Sequence, residues 1–195
     1  RIAQCCHLPA PLLMKLASYA DGSRDGHLVV VSRDLTQAHY ATGIATRLQQ
    51  VLDDWGFLAP QLEDLAVQLN HGKLRHAFPF DPEKCLAPLP RSCGWAVVDA
   101  EGGVQREAGV FAAAHQPLRA PADGHPTLAA IAGDLAAASD TAAALDALRL
   151  LTLAVDWRLD GELIATQCAP LALTPDELGA SWAAGRLQAR LHLLH

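Results

Sequence analysis

Pro79, Pro82, Pro88 and Pro90 fall within one short stretch, His76 to Arg91, and no regular element is expected to run through it. Each proline lacks a backbone N–H and biases its predecessor to extended geometry. The stretch therefore predicts a crossing linker at 76–94 that divides the chain. Before it, from Met14, MKLASYA alternates apolar and other residues, Asp21-Gly22-Ser23-Arg24-Asp25-Gly26 supplies turn chemistry, and HLVVVS at 27–32 is β-branched. That pattern predicts a hairpin. A short extended piece through Tyr40 follows, then apolar residues at helical spacing from Ile44 to Trp55, and Pro60 is expected to open a second helix ending near Asn70. Residues 14–75 thus predict a small ββαα module.

Beyond the linker the pattern is richer in strands. Extended segments are expected near 95–100 and 107–114, a Pro- and Gly-rich loop at 117–126, alanine-rich helices near 127–138 and 140–148, and an apolar strand, LLTLAVDWRL, at 149–159 or so. ELIATQCAPLAL predicts another extended run. Thr174-Pro175-Asp176-Glu177 has the form of a capping box with proline at the first helical position, followed by a helix to about Trp182 and a final strand at 186–194. The fold class expected is α+β, a ββαα module followed by a mixed, β-rich core over 95–195.

Composition limits what such a fold does. With 51% hydrophobic and 18% charged residues the chain is globular, and its size supports a core without metal or disulfide staples. A formal net charge of −6 provides no positive field for nucleic acid or an anionic membrane. The apolar run before Met14 is broken by Pro9 and Pro11, too short to span a bilayer. Residues 1–13 are expected to be a leader, a processing remnant or an artefact outside the fold. The five cysteines are scattered without a Cys-x-x-Cys pair, which suits reduced thiols in a cytoplasm rather than a disulfide framework or zinc ribbon.

Dinucleotide-, triphosphate- and serine-hydrolase motifs are absent from the sequence. His71 and His76 lie five apart, off one helical face. The four tryptophans are expected as core anchors, and Cys168 as an inert buried thiol. The acids carry more information. Asp156 interrupts an apolar strand, Glu107 opens EAGVFAA, and Asp99 and Glu101 lie nearby. A carboxylate in LTLAVDW is costly unless it finds a cation, an arginine or water. Arg149, Arg158 or an edge position facing solvent would satisfy it. So would a hard divalent ion such as Mg²⁺ or Ca²⁺ held by oxygens from neighbouring strands.

MKLASYADGSRDGHLVVVSRDLTQAHYATGIATRLQQVLDDW, with APQLEDL and HAFPFDPEKCLAPLPR, resembles the amino-terminal module of bacterial fumarylacetoacetate hydrolase (FAH) family proteins. The resemblance covers about residues 14–95 and reappears at 144–159 and 165–187. It implies a small amino-terminal domain followed by a β-rich core that is incomplete relative to the family, a homodimer or a complementing chain, and a small oxo-acid substrate. It implies Mg²⁺, Mn²⁺ or Ca²⁺ held by carboxylates, with Asp156 and Glu107 as ligands, and hydrolysis or decarboxylation of a β-diketo or oxo acid. The departures are specific. The second Glu of the family's Glu-x-Glu pair is Gly109 here, its active-site Lys falls near Leu163, and its catalytic His is not recognisable in AVVDAEGGV. Two expectations follow, a metal-dependent hydrolase or a non-catalytic scaffold of the same fold that binds a partner chain.

Overall fold

The computed structural model describes residues 12–92, 94–98, 104–106, 111–117, 122–134, 140–183 and 186–187. The expected hairpin is β1 (Lys15–Tyr19) and β2 (His27–Val31), paired in antiparallel register from Lys15↔Val31 to Tyr19↔His27. Its loop is tied by Asp21, which accepts from Ser23 N and from Arg47. Gly26 closes it at φ +67°, where a Cβ would stand 2.7 Å from the Tyr19 carbonyl oxygen, so only glycine suits the position. The short extended piece through Tyr40 is β3 (Gln37–Tyr40), which pairs with β2, so the module is βββαα rather than ββαα.

Two helices follow. In α1 (Leu48–Asp53) the Gln50 side chain reaches back to accept from the N–H groups of Thr46 and Arg47. α2 (Trp55–Asn70) starts five residues earlier than expected, and Pro60 lies inside it rather than at its start. The reason is packing. Ala59, Leu62, Ala66 and Leu69 form a buried stripe, and Trp55 and Leu58 extend it over the same core. That burial outweighs the one hydrogen bond the proline removes.

The proline-punctuated stretch is not featureless. It carries β4 (Phe78–Pro79), which pairs β3, and a 3-10 turn at Pro82–Lys84 whose Asp81 side chain accepts from Glu83 N. It runs as a strap along β1, with Leu86 N donating to Ser18 O and Ala20 N to Lys84 O, and Arg91 grips Asp25 through two nitrogens at 2.9 and 2.6 Å. The strap covers a second apolar cluster of Tyr19, Val29, Val31 and Cys85 on the face away from the helices.

The remaining strands are β5 (Ala96–Val98), β6 (Val104–Arg106), β7 (Ala112–Ala113), β8 (Asp123–Ala132), β9 (Leu148–Leu159), β10 (Glu162–Cys168) and β11 (Ala172–Leu173), with the small pair β12 (Trp182–Ala183) and β13 (Arg186–Leu187). One mixed sheet runs β4-β3-β2-β1-β11-β9-β10-β7, with β8 along the other side of β9, and β5 pairs β6 separately. The fold is α+β. Among the described residues no helix is long and apolar enough to cross a membrane.

Two local expectations fail, one in the alanine-rich stretch and one at Thr174. The first alanine-rich helix, placed near 127–138, is instead β8, because ten register pairs with β9 outweigh the helical preference of alanine. The second is α3 (Thr141–Ala147), capped by Asp140 accepting from Ala143 N. The capping box at Thr174 makes no side-chain cap bond. Its hydroxyl accepts from Met14 N at 3.2 Å and donates to Leu12 O, and Pro175–Ser181 forms a 3-10 segment broken at Gly179, not an α-helix. Of the final strand, Arg186–Leu187 is observed and the rest lies outside the described residues.

Candidate active site

A cavity of about 500 Å³ opens between α1 and the sheet face formed by β8, β9 and β10. That size lies in the range of small-molecule sites. Gln49, Leu52 and Asp53 of α1 form one wall, with Pro88 and Leu89 of the strap beside them. Thr127, Ala129, Thr152, Asp156 and Cys168 line the sheet side, and Trp95 packs edge-on against Phe111 at 4.7 Å on the apolar wall. Antiparallel pairing explains the grouping. His125 and Thr166 oppose Asp156, while Thr127 and Cys168 oppose Ala154, and residues directly opposite share a face.

Asp156 is 5% exposed. The sequence offered Arg149, Arg158 or a solvent-facing edge as ways to satisfy it, and none of these occurs. β9 is paired on both sides. Arg149 donates to Asp146 O and lies over the Trp55 ring, and Arg158 donates to Gly161 O. Among the described residues no Lys, Arg or His forms an ion pair with Asp156. Its Oδ1 accepts from Thr166 Oγ1 at 2.6 Å. Its other oxygen is not among the buried polar atoms without a partner, so it opens onto the cavity, where water or a cation can meet it.

Glu107, the other expected ligand, lies outside the described residues, as do Asp99, Glu101 and Gly109. Among the described residues no three His, Cys, Asp or Glu side chains cluster to hold a metal. Asp156 nonetheless fits one position of a hard-ion site. Mg²⁺ retains several waters and takes only one or two protein carboxylates, and Asp156 turns one oxygen to the cavity with no cationic side chain paired to it among the described residues. Asp53 and Asp134 also line the cavity and were not singled out by sequence, since both sit in ordinary polar surroundings. Thr166 was missed too. Nothing in ATQC distinguishes it before the strand register is known.

Burial, and then the charge of Asp156, pushes the Cys168 thiol up to about 12. It stays protonated at neutral pH and is no nucleophile. Burial does the same to Cys85. Trp157 donates from Nε1 to Gln167 Oε1 at 2.7 Å, and Gln167 in turn donates to Gln116 O, so this tryptophan anchors β9 to its neighbours. His71 ends α2 through its own N–H to Val67 O and stands apart from the cavity.

The module from β1 to the end of the strap, with the α1 wall of the cavity, coincides with a family match. Residues 14–91 fit the family described as fumarylacetoacetase N-terminal domain 2. No curated protein matches the chain. Residues 14–91 are thus a fumarylacetoacetase N-terminal domain 2, which supports a place for the chain with the fumarylacetoacetate hydrolase family.

Proposed function

We propose that the cavity is the active site of an FAH-type hydrolase that uses a divalent metal to cleave a carbon–carbon bond in, or decarboxylate, a small β-diketo or oxo acid. Asp156 and Glu107 would hold Mg²⁺, Mn²⁺ or Ca²⁺. When bound, the ion supplies Lewis acidity toward the enolate-forming oxygens of the substrate. The chain's own groups prepare the site. Thr166 holds Asp156 in place. Trp95 and Phe111 pack together on the apolar wall, and Thr152, which lines the cavity, spends its hydroxyl on Leu171 O at 2.7 Å and so fixes β9 against the segment leading to β11. The base that activates water is unassigned.

The observation that carries this reading is Asp156, a carboxylate 5% exposed in a cavity wall with no cationic side chain paired to it among the described residues. The family relationship supports it, and we infer with it a homodimer and, from the scattered cysteines, a cytoplasmic setting. The test is the melting temperature with and without millimolar Mg²⁺, Mn²⁺ and Ca²⁺, on the wild-type chain beside Asp156→Ala. An ion at about 100 times its Kd stabilises by about 2.7 kcal/mol, a rise of roughly 5–10 °C for a chain this long. The variant should show no rise. An equal rise in both would remove Asp156 from the site, and none in the wild type would favour the scaffold that binds a partner chain. A rise specific to wild type leads to turnover assays with β-diketo and oxaloacetate-like acids.

A further inference from the structure

The pairing of β9 with β10 changes register part way along. Glu162 opposes Leu159 and Leu163 opposes Arg158, and continuing that register would set Ala165 against Asp156. A slip between Leu163 and Ala165 sets Ala165 against Trp157 and Thr166 against Asp156 instead. Ile164, 44% exposed, is the additional residue. Because side chains alternate between faces, one extra residue exchanges the methyl that would face Asp156 for a hydroxyl. Bulges beside functional sites re-aim side chains in this way.

The resulting contact is short and sealed. Thr166 is 4% exposed, and its Oγ1 donates to Asp156 Oδ1 at 2.6 Å, within the range of a hydroxyl bonded to a charged oxygen. Among the described residues no donor reaches Oδ2. We propose that Thr166, placed by the bulge at Ile164, is a positioning residue that occupies Oδ1 and turns Oδ2 of Asp156 into the single oxygen offered to the divalent ion. This inference rests on the metal reading above. It adds that the carboxylate binds through one oxygen, and that a residue which never touches the ion sets the affinity.

The test is a titration of the full chain with Mn²⁺ alone, followed by calorimetry or by the paramagnetic signal of the free ion, on wild type, Thr166→Val, Thr166→Ala, Thr166→Ser and Asp156→Ala. Removing a hydrogen-bonded partner of a ligand weakens metal affinity by about 10–100-fold. The valine variant should show that loss and the serine variant should recover wild-type affinity, a rescue that a role in strand packing alone would not give. Should valine prevent folding, alanine removes the same hydroxyl without branching at that position. Unchanged affinity in a folded variant lacking the hydroxyl, or no recovery with serine, overturns the role of Thr166 while leaving the metal site standing. Absence of saturable Mn²⁺ binding in the wild type overturns the metal reading, and this inference with it.

Discussion

One face of the sheet is packed solid at one end and hollow at the other. Where β1 and β2 meet the helices, it is lined by Leu16, Leu28 and Val30, all fully buried against Val51, Leu62 and Leu69. The same core reaches Leu150 on β9. One pair further along β9 the inward residues become Thr152, Ala154 and Asp156, faced by Ala129 on β8 and by Thr166 and Cys168 on β10. The backbone scaffold is continuous, and side-chain volume makes the difference. Leucine and valine fill the space under a helix to interior density, whereas alanine, threonine and cysteine leave room for a ligand.

The largest test of that contrast is Leu62→Ala, which empties a fully buried position under α2. It should cost about 2–5 kcal/mol, seen as a fall of several degrees or more in the calorimetric midpoint. A loss well below this would show that the helical end is loosely packed as well. A sharper comparison adds bulk at both ends. Ala66→Leu, at a position 1% exposed in α2, should destabilise by overpacking at about 1–3 kcal/mol. Ala129→Leu points into the cavity and should leave the midpoint unchanged or raise it. Equal losses in the two would mean that the cavity wall cannot accept a side chain.

Chemical access gives a third comparison, with one thiol from each region. Cys85 is on the inner side of the strap and Cys168 beside the cavity, and burial holds both thiols up to about 12. Peptide mapping after iodoacetamide treatment near pH 8 should find both unmodified in the native chain and modified after unfolding. Labelling of Cys168 alone would mean that the cavity end opens independently. The smallest expected effect concerns the strap. The Arg91 guanidinium bonded to Asp25 holds that carboxyl below its ordinary value. A lowered folded pKa stabilises above the ordinary carboxylate range and is lost as pH falls through the lowered value. Asp25→Asn should therefore melt slightly lower than wild type near neutrality, and the difference should fade as pH falls below about 4.

Much of the amino-terminal module was legible because its elements are local. A turn-rich loop between β-branched runs forces the hairpin, and the 3.6-residue spacing of Ala59, Leu62, Ala66 and Leu69 marks one face of α2. The alanine-rich segment misled for the same reason. TLAAIA favours a helix locally, and only the long β9 beside it, with a full edge to pair, makes it a strand. Thr174 carried a sound helix-start signature, yet its hydroxyl serves Met14 and Leu12, partners about 160 residues away that no local pattern contains. At the site, Asp156 was legible as an acid in an apolar strand. Thr166 was not, because its place opposite Asp156 depends on a register slip two residues earlier.

The outer edge of β1 is shared between two covers. Its later half is met by the strap, with Tyr19 bridged to Cys85, and its earlier half by β11, where Lys15 opposes Leu173 and Leu16 opposes Ala172. A ribosome delivers these covers at very different times. The strap emerges soon after the hairpin, but the contact between Met14 and Thr174 spans 160 residues, so Lys15 and Leu16 wait with unpaired backbone groups until nearly the whole sheet has been synthesised. Contacts so distant in sequence form slowly, and an open strand edge is a template for pairing with another chain. A nascent or truncated chain stopping short of residue 172 would carry this edge exposed, and its self-association, rather than its loss of activity, would be the first sign that β11 is missing.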